Sequence, residues 1–203
     1  MQLIGMLDSP YVRRTAISLR LLGIPFEHMP LSVFRDFDRV HAINPLVKVP
    51  TLVCDDGLVL VDSTLIIDYA ESIANQRLMP AAAEQHRAAL RLIGVALAAC
   101  EKSVQIFYER RRAADHRDAA WTSRIGGQLQ SACKLLEREL RDDGESAWLF
   151  GEKPMQADIT IAVAWGFAQL VAADVVLPAD YPKLVAFGAR AERLPEFQAF
   201  PID

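Results

Sequence analysis

Lys48-Val49-Pro50-Thr51-Leu52-Val53, with Asp62-Ser63 a few residues on, decides the fold. A proline forces the residue before it into extended geometry, and X-Pro is the one common setting for a cis peptide. Pro50 cannot donate to a strand ladder, so it belongs at a strand's first residue or edge. Thr51 to Val53 therefore read as a strand, Asp55-Asp56-Gly57 as a tight turn and Leu58 to Val61 as the return strand. Asp62-Ser63 closes that hairpin and opens a helix expected over Thr64 to Ala74, with Ser63 as its N-cap. A Val49 backbone turned outward beside a helix N-terminus is a place to dock a short peptide carrying a carboxylate.

Working outward toward the N-terminus, Gln2 to Met6 form an apolar strand, and Leu7-Asp8-Ser9-Pro10 leads into a helix. Ser9 suits the N-cap and Pro10 the first helical position. Val12, Ala16 and Leu19 keep helical spacing, Arg13, Arg14 and Arg20 mark the expected polar side, and Gly23 ends the helix. Pro25 to Met29 make a second strand, parallel to the first when a helix crosses between them. A weaker helix runs from Phe34 to Ala42. The resulting order, βαβαββα, is a small α/β sandwich.

Toward the C-terminus the pattern turns helical throughout. Asn75 to Ala83, with Pro80, has lost periodicity and reads as a linker. Leu90, Ile93, Leu97, Cys100, Val104 and Phe107 step by three and four, as do Trp121, Ile125, Leu129, Ala132, Leu136 and Leu140. Asp142-Asp143-Gly144 breaks the second series. Ile159 to Ala173 is apolar nearly all round, which suits the central helix of a bundle and is too short for a membrane span. Leu184, Phe187, Ala191 and Leu194 form a last amphipathic helix, stopped by Pro195. The expected domains are residues 1–76 (α/β), a linker at 77–84, and residues 85–203 (all helical).

With 203 residues, 52% of them hydrophobic and 24% charged, the chain has ample material for a core. Twenty-two basic and 26 acidic residues give a net charge of −4, which argues against nucleic acid as the main partner. The run Arg110-Arg111-Arg112 suits a helix C-terminus, where cations favour the dipole. Cys54, Cys100 and Cys133 lie far apart, with no C-x-x-C and no neighbouring histidine, so no metal site is expected. Three cysteines and no secretory start point to a reducing cytoplasm.

Three motifs, in this order, resemble the glutathione transferase superfamily across the whole chain: Ser9-Pro10-Tyr11-Val12-Arg13-Arg14, Asn44-Pro45-Leu46-Val47-Lys48-Val49-Pro50 with Asp62-Ser63, and Ala157-Asp158-Ile159. The start resembles bacterial branches with serine at the reactive position rather than the cysteine-bearing ones. The resemblance implies a thioredoxin-like N-terminal domain that binds glutathione as co-substrate, with no cofactor. It also implies an all-α C-terminal bundle over a small hydrophobic electrophile, and a cytoplasmic homodimer.

On that resemblance Ser9 is the catalytic residue. Attack needs glutathione's thiolate, and a hydroxyl donor at the positive end of a helix favours the anion. Serine's own pKa is too high for it to act as a base, so its role is that of a donor; the plain alternative is an N-cap. Val49 would pair its N–H and C=O with the cysteinyl unit, a small case of strand addition, and Pro50, if cis, turns those groups outward. Ser63 would take the γ-glutamyl carboxylate and Asp62 the ammonium. Lys48 either reaches the glycyl carboxylate or is a solvated lysine.

Asp158 reads as structural. The family pattern has a Ser or Thr three residues earlier that completes a capping box, and Met155 stands there instead. Glycine is frequent at the Val47 position, and a β-branched residue implies an ordinary backbone conformation. Tyr11, Phe34, Phe107, Tyr108 and Trp165 are the candidates for the acceptor site, with core packing as the competing role of each. The competing function is a binding protein of the same fold without turnover. A specialised isomerase or dehalogenase ranks below both, since the double-serine-cysteine start expected of the isomerase branch is absent.

Overall fold

The computed structural model describes residues 1–140 and 148–202, and the Asp142-Asp143-Gly144 break lies outside them. Contacts divide the chain into two compact units, Met1–Leu78 together with the C-terminal stretch from Leu194, and Met79–Arg193.

The first unit runs β1 (Gln2–Ile4), α1 (Pro10–Leu21), β2 (Glu27–Met29), α2 (Phe37–Ile43), β3 (Thr51–Val53), β4 (Val59–Val61) and α3 (Ser63–Ile73). Its sheet has the order β2-β1-β3-β4, with β1 parallel to β2 and antiparallel to β3. The hairpin pairs Thr51 with Val61, Leu52 with Leu60 and Val53 with Val59. Ile4 packs with Leu31 of the chain after β2 and Val40 of α2; alternation along a strand then turns Leu3 to the other face.

Ser9 caps α1 and Pro10 is its first residue, as the spacing predicts. The exit of α1 is a Schellman turn: Gly23, at φ +70°, and Ile24 donate to the carbonyls of Arg20 and Leu19. The expected polar side needs correction, because Arg13 and Arg14 are each 1% exposed. Arg13 Nε donates to the Phe200 carbonyl at 2.8 Å, and its guanidinium lies 5.5 Å from the Phe197 ring centre. The C-terminal stretch, with α8 (Pro195–Gln198) packed on α1 and Phe200 stacked on Phe26 at 5.7 Å, thus buries this arginine. Reading the sequence places these residues with the helical part; they complete the α/β unit instead.

The second unit holds α4 (Ala83–Arg111), α5 (Ala119–Glu139), α6 (Gln156–Ala172) and α7 (Pro182–Ala191). Helix α4 opens at Ala83, inside the stretch read as linker, and ends in the Arg110-Arg111-Arg112 run. Its buried stripe is Ala89, Ile93, Ala96, Cys100, Ser103 and Ile106, so the face is turned from the one the larger side chains suggest, and Leu90 is exposed. Small residues there let α4 lie close against α5 and α6. Helix α6 is buried along nearly its whole length.

Gly188 of α7 packs directly against Trp165 of α6. A Cβ there would lie 2.8 Å from Trp165 Cδ1. We expect Gly188→Ala to cost roughly 1–3 kcal/mol through overpacking, read as a lower urea midpoint; an unchanged midpoint would mean the Trp165 ring can step aside.

Candidate functional site

Three loops and helix starts of the first unit carry Ser9, Val49 with Lys48, and Asp62 with Ser63. The loop after β1 carries Ser9. Its Oγ accepts from the Val12 N–H at 3.5 Å, longer than a good cap bond. Ser9 is half-buried, and its hydroxyl donates to no acceptor among the described residues. It sits at the N-terminus of a three-turn helix, where partial positive charge gathers.

The second loop carries Val49. The Val49-Pro50 bond is cis, and among the described residues neither the N–H nor the C=O of Val49 enters a hydrogen bond. An open peptide group beside a strand is what strand addition uses. Gly5 ties this loop to α1. It has φ +136°, and a Cβ built on it would stand 2.5 Å from Val12 Cγ2 and 3.0 Å from Val49 Cβ. Only glycine lets the end of β1 pass between the first turn of α1 and the Val49 loop.

Asn44 holds that loop from beneath, and the sequence reading assigned it no role. It is buried; its Nδ2 donates to the Lys48 carbonyl at 3.2 Å and to Thr51 Oγ1 at 2.9 Å, and its Oδ1 accepts from the Leu46 N–H. Thr51 Oγ1 in turn donates to the Lys48 carbonyl at 2.6 Å. An Asn-Pro start with a threonine seven residues on is the available signal. Val47 corrects a second expectation: its φ is +48°, in the left-handed region. The turn closed by the Val47 N–H on the Asn44 carbonyl demands it, and packing of Val47 against the Ile4, Leu31 and Val40 cluster offsets the strain.

At the third position the N-cap of α3 is Asp62, not Ser63. Asp62 Oδ1 accepts from the Thr64 N–H at 2.9 Å, and Asp62 takes φ +73°. Ser63 becomes the first helical residue, and its Oγ accepts from Arg14 Nη1 at 2.8 Å. Lys48 Nζ stands 3.5 Å from Asp62 Oδ2, with both side chains about half exposed. Such a pair contributes little to stability and is easily exchanged for a ligand's charges.

Tyr11 is half-buried in α1 and Phe34 is exposed beyond β2. In the second unit Phe107 is half-buried under the Arg111 guanidinium, and Tyr108 is exposed with its ring edge-on to Phe107 at 5.6 Å. Trp165 is a correction. It is 7% exposed, packed on Gly188 and 5.8 Å from the Tyr181 ring, so it serves the core of the bundle.

Asp158 is 1% exposed, and its two oxygens accept from the Leu149 and Met155 N–H groups at 3.0 and 2.8 Å. The half of a capping box that the carboxylate supplies is therefore in place, and it ties the chain at Leu149 to the start of α6. Burial pushes its pKa up to about 6, against those two bonds.

The cysteines offer no nucleophile. All three are buried; burial raises the Cys54 thiol and pushes Cys133 up to about 12. A reactive sulfur at the Ser9–Val49 site would have to arrive with a ligand. Among the described residues no cluster of His, Cys, Asp and Glu is arranged to hold a metal, and no helix is long and apolar enough to cross a membrane.

Comparison with known proteins fits this geometry. The family model described as "Glutathione S-transferase, N-terminal domain" matches residues 3–78, and that described as "Glutathione S-transferase, C-terminal domain" matches residues 119–187. The chain belongs to the glutathione transferase superfamily. Among solved structures of this superfamily, a glutathione S-transferase from Methylobacterium radiotolerans in complex with glutathione sulfonate superposes with a TM-score of 0.90 at 26% identity, over 98% of this chain and 93% of that one. A glutathione transferase family member from Pseudomonas fluorescens with bound S-(propanoic acid)-glutathione gives 0.80 at 26% identity, over 98% of each chain. By sequence, a maleylacetoacetate isomerase of Pseudomonas aeruginosa is 27% identical over 156 residues, 72% of this chain and 71% of that protein.

Proposed function

We propose that this chain binds glutathione on its first unit and directs the sulfur, as a thiolate, onto an electrophilic carbon of a small hydrophobic acceptor. The observation that carries the reading is the Val49 peptide group. It is open on both its N–H and C=O beside a cis proline, in the same packed unit as the Ser9 hydroxyl and the N-terminus of α3. In this reading Val49 pairs with the cysteinyl unit. Ser63 and the first N–H groups of α3 take the γ-glutamyl carboxylate, Asp62 takes the ammonium, and Lys48 leaves Asp62 for the glycyl carboxylate. Ser9 donates to the sulfur. Tyr11 and Phe34 of this unit remain candidates for contact with the acceptor. The glutathione complexes of the superposed relatives support the first half of this reading.

A second reading is favoured by the likeness to maleylacetoacetate isomerase. There the thiolate adds to an electrophilic alkene, the adduct rotates, and elimination returns the thiolate, so glutathione is not consumed. Both readings share the first step and differ in whether the carbon–sulfur bond survives. A homodimer, which the resemblance implies, and a cytoplasmic location, expected from the cysteine usage, belong to the same proposal.

Calorimetric titration with glutathione tests the site: we expect saturable binding with a micromolar to millimolar Kd. A flat titration removes both readings. Assaying a panel of electrophiles for glutathione loss, beside activated cis-alkenes for isomerisation at constant glutathione, then separates them. Binding with neither reaction leaves the fold as a binding protein.

A further inference from the structure

Arg14 is 1% exposed, yet it lies on the same helix as Ser9 and reaches across to the N-terminus of α3. Its Nη1 donates to Ser63 Oγ at 2.8 Å and to Thr64 Oγ1 at 3.2 Å. Ser63 is itself 3% exposed, and among the described residues its hydroxyl proton has no acceptor. A hydroxyl whose lone pair is held by a guanidinium must aim its own proton elsewhere. Ser63 opens α3, where its own N–H and that of Leu65 enter no hydrogen bond among the described residues, the Thr64 N–H being held by Asp62 Oδ1.

We propose that Arg14 is a positioning residue that makes the Ser63 hydroxyl an obligate donor, and that it thereby selects peptides carrying an α-carboxylate on their first residue. The inference rests on the glutathione reading above and deepens it. A guanidinium cannot lose its proton, so the polarity of the Ser63 hydroxyl is fixed at every pH the protein meets. Buried positive charge one atom behind the hydroxyl also strengthens the bond to a carboxylate, since low local dielectric leaves it poorly screened. Because Arg14 and Ser9 share α1, the grip on one end of the tripeptide and the donor to its sulfur are carried by one rigid element. An ammonium in place of the carboxylate would meet a donor pointing at it, and an amide would offer that donor only a neutral acceptor.

Two probes test this on the full chain by calorimetry: glutathione, and γ-aminobutyryl-cysteinyl-glycine, which lacks only the α-carboxylate. Wild type is expected to prefer glutathione by thirtyfold or more. Arg14→Gln and Ser63→Ala each reduce that preference about tenfold, and the double variant reduces it no further. Arg14→Lys, which keeps the charge, recovers part of it. A purely structural arginine would weaken both ligands alike and leave the ratio unchanged, and that result in a folded Arg14→Gln or Arg14→Lys protein overturns the inference. If Arg14→Gln does not fold, the Arg14→Lys and Ser63→Ala ratios decide. Equal wild-type affinity for the two probes overturns this inference alone, whereas no wild-type binding of either overturns the glutathione reading and this inference with it.

Discussion

Ser9→Ala is expected to keep glutathione affinity within about threefold and to lower the conjugation rate on the order of fiftyfold to a hundredfold near pH 6.5. A free thiol titrates near ~8.5. A charge-assisted hydrogen bond from the hydroxyl, at the upper end of its range, supplies roughly 2.7 kcal/mol, equivalent to about two pKa units. At pH 6.5 about half of the bound thiol is then ionised in wild type, against about one part in a hundred once the donor is gone. The Ser9 hydroxyl is suited to this because its cap bond to Val12 is slack at 3.5 Å, so turning toward a sulfur sacrifices little. The pH–rate profile is the check: the variant's limb moves up by about two units and meets the wild-type curve above pH 9. Superposed profiles would mean that another group ionises the thiol.

The second large effect is on stability. Asp158→Ala is expected to lower it by roughly 2–4 kcal/mol, because it removes a buried carboxylate and strands two part-buried N–H groups at the entry to the most buried helix of the second unit. The same residue makes a pH-dependent contribution whose sign is opposite to that of most carboxylates. Its folded pKa, about 6, lies above the unfolded 3.8. Between those values the unfolded chain has released the proton and the folded chain has not. The contribution is therefore fully present below pH 4, fades as pH rises through 6, and is flat beyond; the span is on the order of 3 kcal/mol. Urea midpoints of wild type and Asp158→Asn, compared from pH 4 to 7, isolate it. The wild-type advantage shrinks over that range, and a constant gap would mean the carboxylate is already ionised at pH 4.

The fold was legible because its punctuation is chemical. Ser9-Pro10 starts a helix, Gly23 stops one, and Asp55-Asp56-Gly57 turns a hairpin, each for a local reason. Of the candidate site, what could be read is backbone: a proline at position 50 announces the open Val49 peptide. What could not be read were contacts closed by distant chain. Arg13 and Arg14 look like a polar face until the C-terminal stretch and the start of α3 cover them. Val47 carries the wrong side chain for its φ, and only the cluster it packs against makes that tolerable. Along α4 the bulky residues misled, since alanines form the seam. The N-cap of α3 shifted by one because Asp62 and Ser63 are both good caps, and spacing cannot choose between them.

The strap from Leu194 across Arg13 has a consequence for how the molecule comes to exist. The first unit is discontinuous, and its closing piece lies beyond the whole of the second unit in the chain. While the ribosome is still adding the second unit, which spans Met79–Arg193, the first must wait with a charged guanidinium and the Phe26 ring uncovered. Maturation of the half that carries Ser9 and Val49 is thereby tied to synthesis as far as Phe200, and a chain terminated before Leu194 would present that half unfinished.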